Sequence, residues 1–229
     1  MSDLVRVAVD AMGGDYAPVE PVKGAVEAVN ADERVKVQLV GQVDVIEKEL
    51  QKYTYPKERV EIVPATEIIE TGEPPVNAIR HKKDSSIVVG MKKVRCGEAD
   101  AFVSSGSTGA VLVGGQTIVG RIKGVERPPL APLIPTKDGV SLLIDCGANV
   151  DARPSHLVQF AMMGSIYMEH VVGIKKSACG NREYRCGRRK RKRARQRDVS
   201  ASERKPVYQL CRQYRSKRNS KRSRRRCCL

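Results

Sequence analysis

Tryptophan is missing from this 229-residue chain, phenylalanine occurs twice, and aromatic residues make up 4% of it. Apolar residues reach 41%, so a core is available, but one poor in aromatic rings. No run of about 18 apolar residues occurs, so no membrane-spanning helix is expected. The opening MSDLVRVAVDAMGG lacks the order of charge, apolar run and small-residue cleavage site of a signal peptide. A cytosolic protein is expected. His81, His156 and His170 show no metal spacing, and Cys179 and Cys186 have six residues between them rather than two. No metal and no other cofactor is expected. No G-x-S-x-G elbow is present, so the sequence does not suggest a protein nucleophile. A reaction in which bound phosphate is the nucleophile is compatible.

Acidic residues are nearly absent from one end. Residues 1–174 hold 19 Lys+Arg and 23 Asp+Glu, whereas residues 175–229 hold 23 Lys+Arg and only 3 Asp+Glu. Five of the seven cysteines lie in that second span. Two compositions are joined near residue 174, and the overall net charge of +16 describes neither.

The body alternates strand-like and helix-like segments. LVRVAV (4–9), VKVQLVG (35–41), RVEIVPA (59–65), DAFVSSG (100–106) and VSLLIDCGAN (140–149) read as strands running into loops. Helical spacing is seen in VKGAVEAVN, in 43–53, in 85–99, in 107–120 and in a last helix starting at Pro154. That helix is expected to bury Leu157, Phe160, Ala161, Gly164, Met168 and Val171. Alternation of this kind predicts a mainly parallel α/β sheet with helices on both faces.

Functional loops gather at the strand C-terminal ends in such folds. In DAMGGDYAP, Gly13 and Gly14 permit sharp turns beside Asp10 and Asp15. The loop does not match G-x-G-x-x-G, and a plain strand-to-helix turn is the alternative. In SSGSTGA, the N–H groups and small side chains of Ser105, Gly106, Ser107, Thr108 and Gly109 suit a phosphate. It is not a Walker A loop, and a capped turn without a ligand is the competing reading. In IDCGANVDARP, Asp145 and Asn149 could orient a substrate or satisfy a turn. The run IRHKKDSS carries Lys82 and Lys83 ahead of a helix capped by Asp84 or Ser85; a solvated charged face is the simpler explanation.

Taken in order, VDAMGGDYAP, RHKKDSSIVVG, ADAFVSSGSTGA, VGRIKGVERPPLAP and LIDCGANVDARPSHLVQFAMMG resemble the bacterial phosphate acyltransferase family, PlsX, across residues 4–174. The resemblance implies a three-layer α/β/α sandwich of the isopropylmalate dehydrogenase type, here C-terminally truncated. It implies a cytosolic homodimer that associates peripherally with membranes. It also implies transfer of a fatty acyl group from acyl carrier protein to inorganic phosphate, giving acyl phosphate for phospholipid synthesis. Lys82 or Lys83 would then offset negative charge, and Asp10, Asp145 and Asn149 would orient phosphate or its ligands, with phosphate held at Ser105–Gly109. A phosphotransacetylase-like enzyme using acyl-CoA is the alternative.

Residues 1–174 therefore read as the N-terminal part of that α/β domain, and residues 175–229 as a separate basic tail. The tail can be read against the genetic code. If one adenine is removed at Lys175–Lys176, permissible codons for 175–194 give KNPRVGIVNIGAEEEKGNA, a strand, a glycine turn and an acidic helix start. A shifted reading frame is expected, with the printed tail disordered and the acyltransferase activity impaired. The rival is a basic arm in which RRKRKRARQR contacts nucleic-acid phosphates without reading sequence; no specific nucleic-acid partner is expected.

Overall fold

Aliphatic runs become parallel strands in the first part of the chain. The computed structural model describes residues 4–137, 139–149, 152–174, 178–180 and 226–228. These fall in two units, Met1–Lys123 and Gly124–Leu229. The division lies inside the 1–174 span that the sequence suggested as one domain.

In the first unit, β1 (Val5–Asp10), β2 (Val35–Gly41), β3 (Val60–Pro64) and β4 (Ala101–Val103) form one parallel sheet in the order β3-β2-β1-β4. Side chains alternate across it. Val37 and Leu39 of β2 pack on Val22, Val26 and Val29 of α1 (Val19–Ala31) and on Ile46 and Leu50 of α2 (Val43–Leu50). Val40 points the other way, beside Ala8 and Val63, toward Val89 and Val94 of α4 (Ser86–Arg95). Behind that face, α3 (Pro75–His81), α4 and α5 (Thr108–Gly114) share a cluster built on Ile79, Ile87, Met91 and Ala110. Helices thus cover both faces, as the alternation predicts, and the unit has the α/β/α layering that the resemblance implies. Strands buried on two faces read as near-continuous apolar runs, which is why the pattern was visible.

Local differences have local causes. A helix expected over 43–53 stops at Leu50, where Lys52 folds back onto the buried Glu49 carboxylate at 2.5 Å. Helix α5 continues as a π turn over Gly115–Val119 before Gly120 ends it with φ +99°. Helix α3 was not predicted. It starts with Pro75 at its first turn and ends in the charged run.

In the second unit, β5 (Leu133–Thr136) pairs antiparallel with β6 (Gly139–Leu143), and α6 (Pro154–His170) covers the sheet. Leu142, Ile144, Phe160, Met168 and Ile174 form its core. Phe160, Ala161, Gly164 and Met168 are buried as expected, and Leu157 is half-buried. Val171 is 65% exposed because α6 ends one residue before it, and His156 is buried instead. Strand β6 also pairs in parallel with β8 (Arg226–Cys228), which pairs with β7 (Ala178–Gly180). Six residues of the 175–229 span are therefore strands rather than disordered chain. Ladder hydrogen bonds come from the main chain and place few demands on side-chain type. The segment 181–225, which includes RRKRKRARQR, lies outside the described residues.

Candidate functional site

The strand order reverses between β1 and β4, since the chain passes through β2 and β3 on one side of β1 before returning on the other. In open parallel sheets, the crevice at the strand C-terminal ends beside such a reversal is where ligands bind. Both glycine loops singled out in the sequence leave from these two strands.

Asp10 ends β1 and is 1% exposed. Its Oδ1 accepts the Met12 N–H at 3.1 Å, and its Oδ2 accepts the Ser104 hydroxyl at 2.7 Å. Ser104 Oγ in turn accepts the Gly106 N–H at 3.0 Å. One buried carboxylate therefore ties together two loops that lie far apart in sequence. Gly13 sits against this bond: a β-carbon there would overlap Asp10 Oδ2 and lie 2.9 Å from the Gly106 nitrogen. Gly14 adopts φ +106° and passes close to Ser105. The surface between the loops is thus lined by backbone.

Ser107 is buried and caps α5 by accepting the Ala110 N–H at 3.3 Å. Its hydroxyl is committed to the helix start. Ser105 and Thr108 are exposed, and Gly106 and Gly109 are half-buried. Gly109 is fixed by packing, because a β-carbon there would meet Pro75 of α3 at 2.5 Å.

Lys82 and Lys83 lie in the turn between α3 and α4. Lys82 Nζ donates to the Ile68 carbonyl at 2.6 Å and pairs with Glu73 at 2.5 Å. This bond, helped by the Glu70 N–H, holds the Glu73 carboxyl below its ordinary range. Lys83 is exposed, with only a long 3.5 Å contact to the Ile79 carbonyl. Of the two lysines, Lys83 keeps the freer charge. Of the two capping candidates for α4, Ser85 accepts the Val88 N–H, while Asp84 bonds Thr66.

Asp145 and Asn149 lie together in the second unit, just beyond β6. Asp145 accepts the Leu130 N–H at 2.7 Å and the Asn149 N–H at 2.6 Å. The Asn149 amide donates to the Pro128 carbonyl at 3.1 Å. Both side chains brace the 128–130 segment. Nearby, the buried His156 accepts the Arg153 N–H on Nδ1 at 3.1 Å, so its proton sits on Nε2, 3.0 Å from Glu126. Its ring stacks on Phe160.

The first unit thus brings together Asp10 and the Ser105–Gly109 loop, and it also holds Lys82 and Lys83 in the turn between α3 and α4. No hydrogen bond or ion pair joins either lysine to the glycine loops among the described residues. Sequence reasoning missed Ser104 and His156. Ser104 carried one signal, its place at the end of a strand in a Ser-Ser-Gly turn. Among the described residues, no group of three His, Cys, Asp or Glu could hold a metal ion, and no helix is long and apolar enough to cross a membrane.

The model of the family described as "Fatty acid synthesis protein" matches residues 5–184. A phosphate acyltransferase of Clostridium kluyveri is 49% identical over 174 residues, which is 76% of this chain and 52% of that protein. A phosphate acyltransferase of Alkaliphilus oremlandii is 51% identical over 172 residues, 75% of this chain and 51% of its own. The chain spans about half the length of the curated relatives it matches. Among solved structures, the EutD phosphotransacetylase from Staphylococcus aureus superposes with a TM-score of 0.61 at 16% identity, covering 99% of this chain and 68% of that one. A phosphotransacetylase from Streptococcus pyogenes gives 0.59 at 16% identity, covering 77% and 56%. These likenesses support the fold, α/β with a mainly parallel sheet. With ordered motifs, that fold and a family match over most of its length in agreement, the chain belongs to the fatty acid synthesis protein family, in which it resembles the phosphate acyltransferases.

Proposed function

We propose that this chain is part of an enzyme that transfers a fatty acyl group from acyl carrier protein to inorganic phosphate, with phosphate bound in the β1/β4 crevice. The product is an acyl phosphate that feeds phospholipid synthesis. The observation that carries this reading is the pair of glycine loops at the sheet's reversal point, held together by the Asp10–Ser104–Gly106 bonds. Backbone and exposed hydroxyls line the crevice, so a phosphate can approach closely.

Phosphate carries about 1.5–2 negative charges near neutral pH, by analogy with phosphoryl groups. One of its oxygens attacks the thioester carbonyl carbon. A C–O bond forms, the carbonyl electrons move to oxygen, and the C–S bond then breaks to release thiolate. A thiol with a pKa near ~8.5 leaves without strong acid assistance. Holding the two reactants in place then supplies much of the rate. Ser105 and Thr108 supply hydroxyl donors, and Lys83 offers the available positive charge. Lys82 is held by Glu73, Ser107 caps α5, and Asp145 and Asn149 shape their own loop. The working protein is a cytosolic homodimer with peripheral membrane contact.

Thiol release is the test, measured with and without phosphate on acyl carrier protein and on acyl-CoA thioesters. Phosphate-dependent release that is faster from the carrier protein is the expected result. Faster release from acyl-CoA favours a phosphotransacetylase-like enzyme, and release independent of phosphate removes the proposal. A version with residues 175 onward read one adenine shorter is expected to outpace this chain in the same assay.

A further inference from the structure

Ser104 touches no reactant in the reaction proposed above, yet with Asp10 it joins the two loops of the crevice through side-chain hydrogen bonds. We infer that Ser104 is a positioning residue: with Asp10 it forms a brace that sets the separation of the two glycine loops and so the enzyme's grip on phosphate. The inference deepens the proposed function and rests on it for its kinetic arm only.

The hydrogen-bond directions follow from the inventory of donors. A carboxylate only accepts, so the 2.7 Å contact uses the Ser104 proton. That leaves the Ser104 lone pairs for the Gly106 N–H at 3.0 Å. The Met12 N–H takes the other Asp10 oxygen at 3.1 Å. The chain Gly106 to Ser104 to Asp10 to Met12 runs from one loop into the other through a group that is 1% exposed. The carboxylate acceptor strengthens the Ser104 and Met12 bonds, and bonds in series polarise one another, so the Gly106 bond to Ser104 gains as well. The loops are also in backbone contact: a β-carbon on Gly106 would lie 3.3 Å from both Asp10 Oδ2 and the Gly13 α-carbon. Any slackening at Ser104 therefore displaces both walls of the crevice. A carboxylate with both oxygens occupied behind the loops repels an anion from direct contact, so Asp10 acts through the loops rather than as a phosphate ligand.

Two measurements on the full chain test the brace. The first is amide hydrogen exchange without phosphate. Ser104→Ala is expected to speed exchange at Gly106 and also at Met12, about tenfold or more, the size of one charge-assisted hydrogen bond. Ser104→Thr restores protection at both, and Ser104→Cys, a weaker donor of similar shape, falls between. Faster exchange at Gly106 with Met12 unchanged means a local turn bond and overturns the brace. The second is phosphorolysis. Ser104→Ala is expected to raise the phosphate KM about tenfold with kcat nearly unchanged, and an unchanged KM overturns the inference. If neither the parent chain nor the version read one adenine shorter shows a phosphate-dependent reaction, the proposed function fails, while the exchange result still decides the brace. Should Ser104→Ala not fold, Ser104→Cys and Ser104→Thr carry both comparisons.

Discussion

At the scale of single residues, two glycines separate space from conformation. Gly13 has no room for a side chain, because a β-carbon there would come within 2.3 Å of Asp10 Oδ2. Gly13→Ala therefore has to push the carboxylate off Ser104 or open the loop, and overpacking of this kind costs about 1–3 kcal/mol. Gly24 is the control. It is exposed in the middle of α1, and nothing lies within 4 Å of its missing β-carbon. There alanine restrains the unfolded chain and favours the helix, so Gly24→Ala is expected to stabilise by about 0.5–1 kcal/mol. Urea midpoints of the two variants should move in opposite directions. A Gly13→Ala midpoint equal to the parent's contradicts the close approach of the two loops.

At the scale of elements, the turn between α3 and α4 depends on one serine. Ser85 is fully buried; its hydroxyl donates to the Lys82 carbonyl at 2.9 Å and accepts the Val88 N–H at 3.4 Å. It thus caps α4 and holds the exit from α3. Ser85→Ala is expected to cost about 1–2 kcal/mol, read as a lower urea midpoint, with Ser85→Thr recovering part of it. The strands of the first sheet were legible because Val, Ile and Leu run through them wherever both faces are covered. β5 was not: LIPT is exposed throughout and contains Pro135, which is tolerated in an edge strand but breaks the sequence pattern. α3 was hidden for a related reason, since only Ala78 and Ile79 of its seven residues are buried. The glycine loops could be recognised from composition and from their place after strands. Ser104 could not, because its role is set by a carboxylate 94 positions away. Lys82 was equally opaque, since its charge is taken by Glu73 across an intervening loop and helix.

At the scale of the whole molecule, the ion pairs of the described residues in the first unit set how that unit responds to acid. Arg6 grips Asp100 through three hydrogen bonds, two from its guanidinium and one from its backbone N–H, joining β1 to the entry of β4. Arg34 grips Asp32 at the end of α1, Lys52 holds Glu49, Lys82 holds Glu73, and Thr66 holds Asp84. Side-chain hydrogen bonds from these partners lower the carboxyl pKa of Asp100, Glu49, Glu73 and Asp84, and bring that of Asp32 to about 2 from an ordinary 3.8. Each group therefore binds a proton more weakly in the folded state than in the unfolded one. Its contribution is fully present above the unfolded value and disappears as pH falls toward the folded value. For Asp32 that window runs from 3.8 to about 2. The pairs are largely solvent-facing, so each contributes little and salt weakens it. Urea midpoints of the first unit should change little in response to these groups between about pH 5 and 7 and should fall progressively below about pH 4.5. Arg34→Ala should flatten part of that fall between 3.8 and about 2, because it removes the largest cause of the Asp32 shift, the guanidinium hydrogen bond, and leaves the backbone N–H of residue 34 and the Arg59 charge in place. A first unit that grew more stable from pH 5 to pH 3 would mean that these carboxylates are not held by the partners seen here. The Arg6–Asp100 clamp would then be unable to account for how β4, and the loop it presents to the crevice, is fixed beside β1.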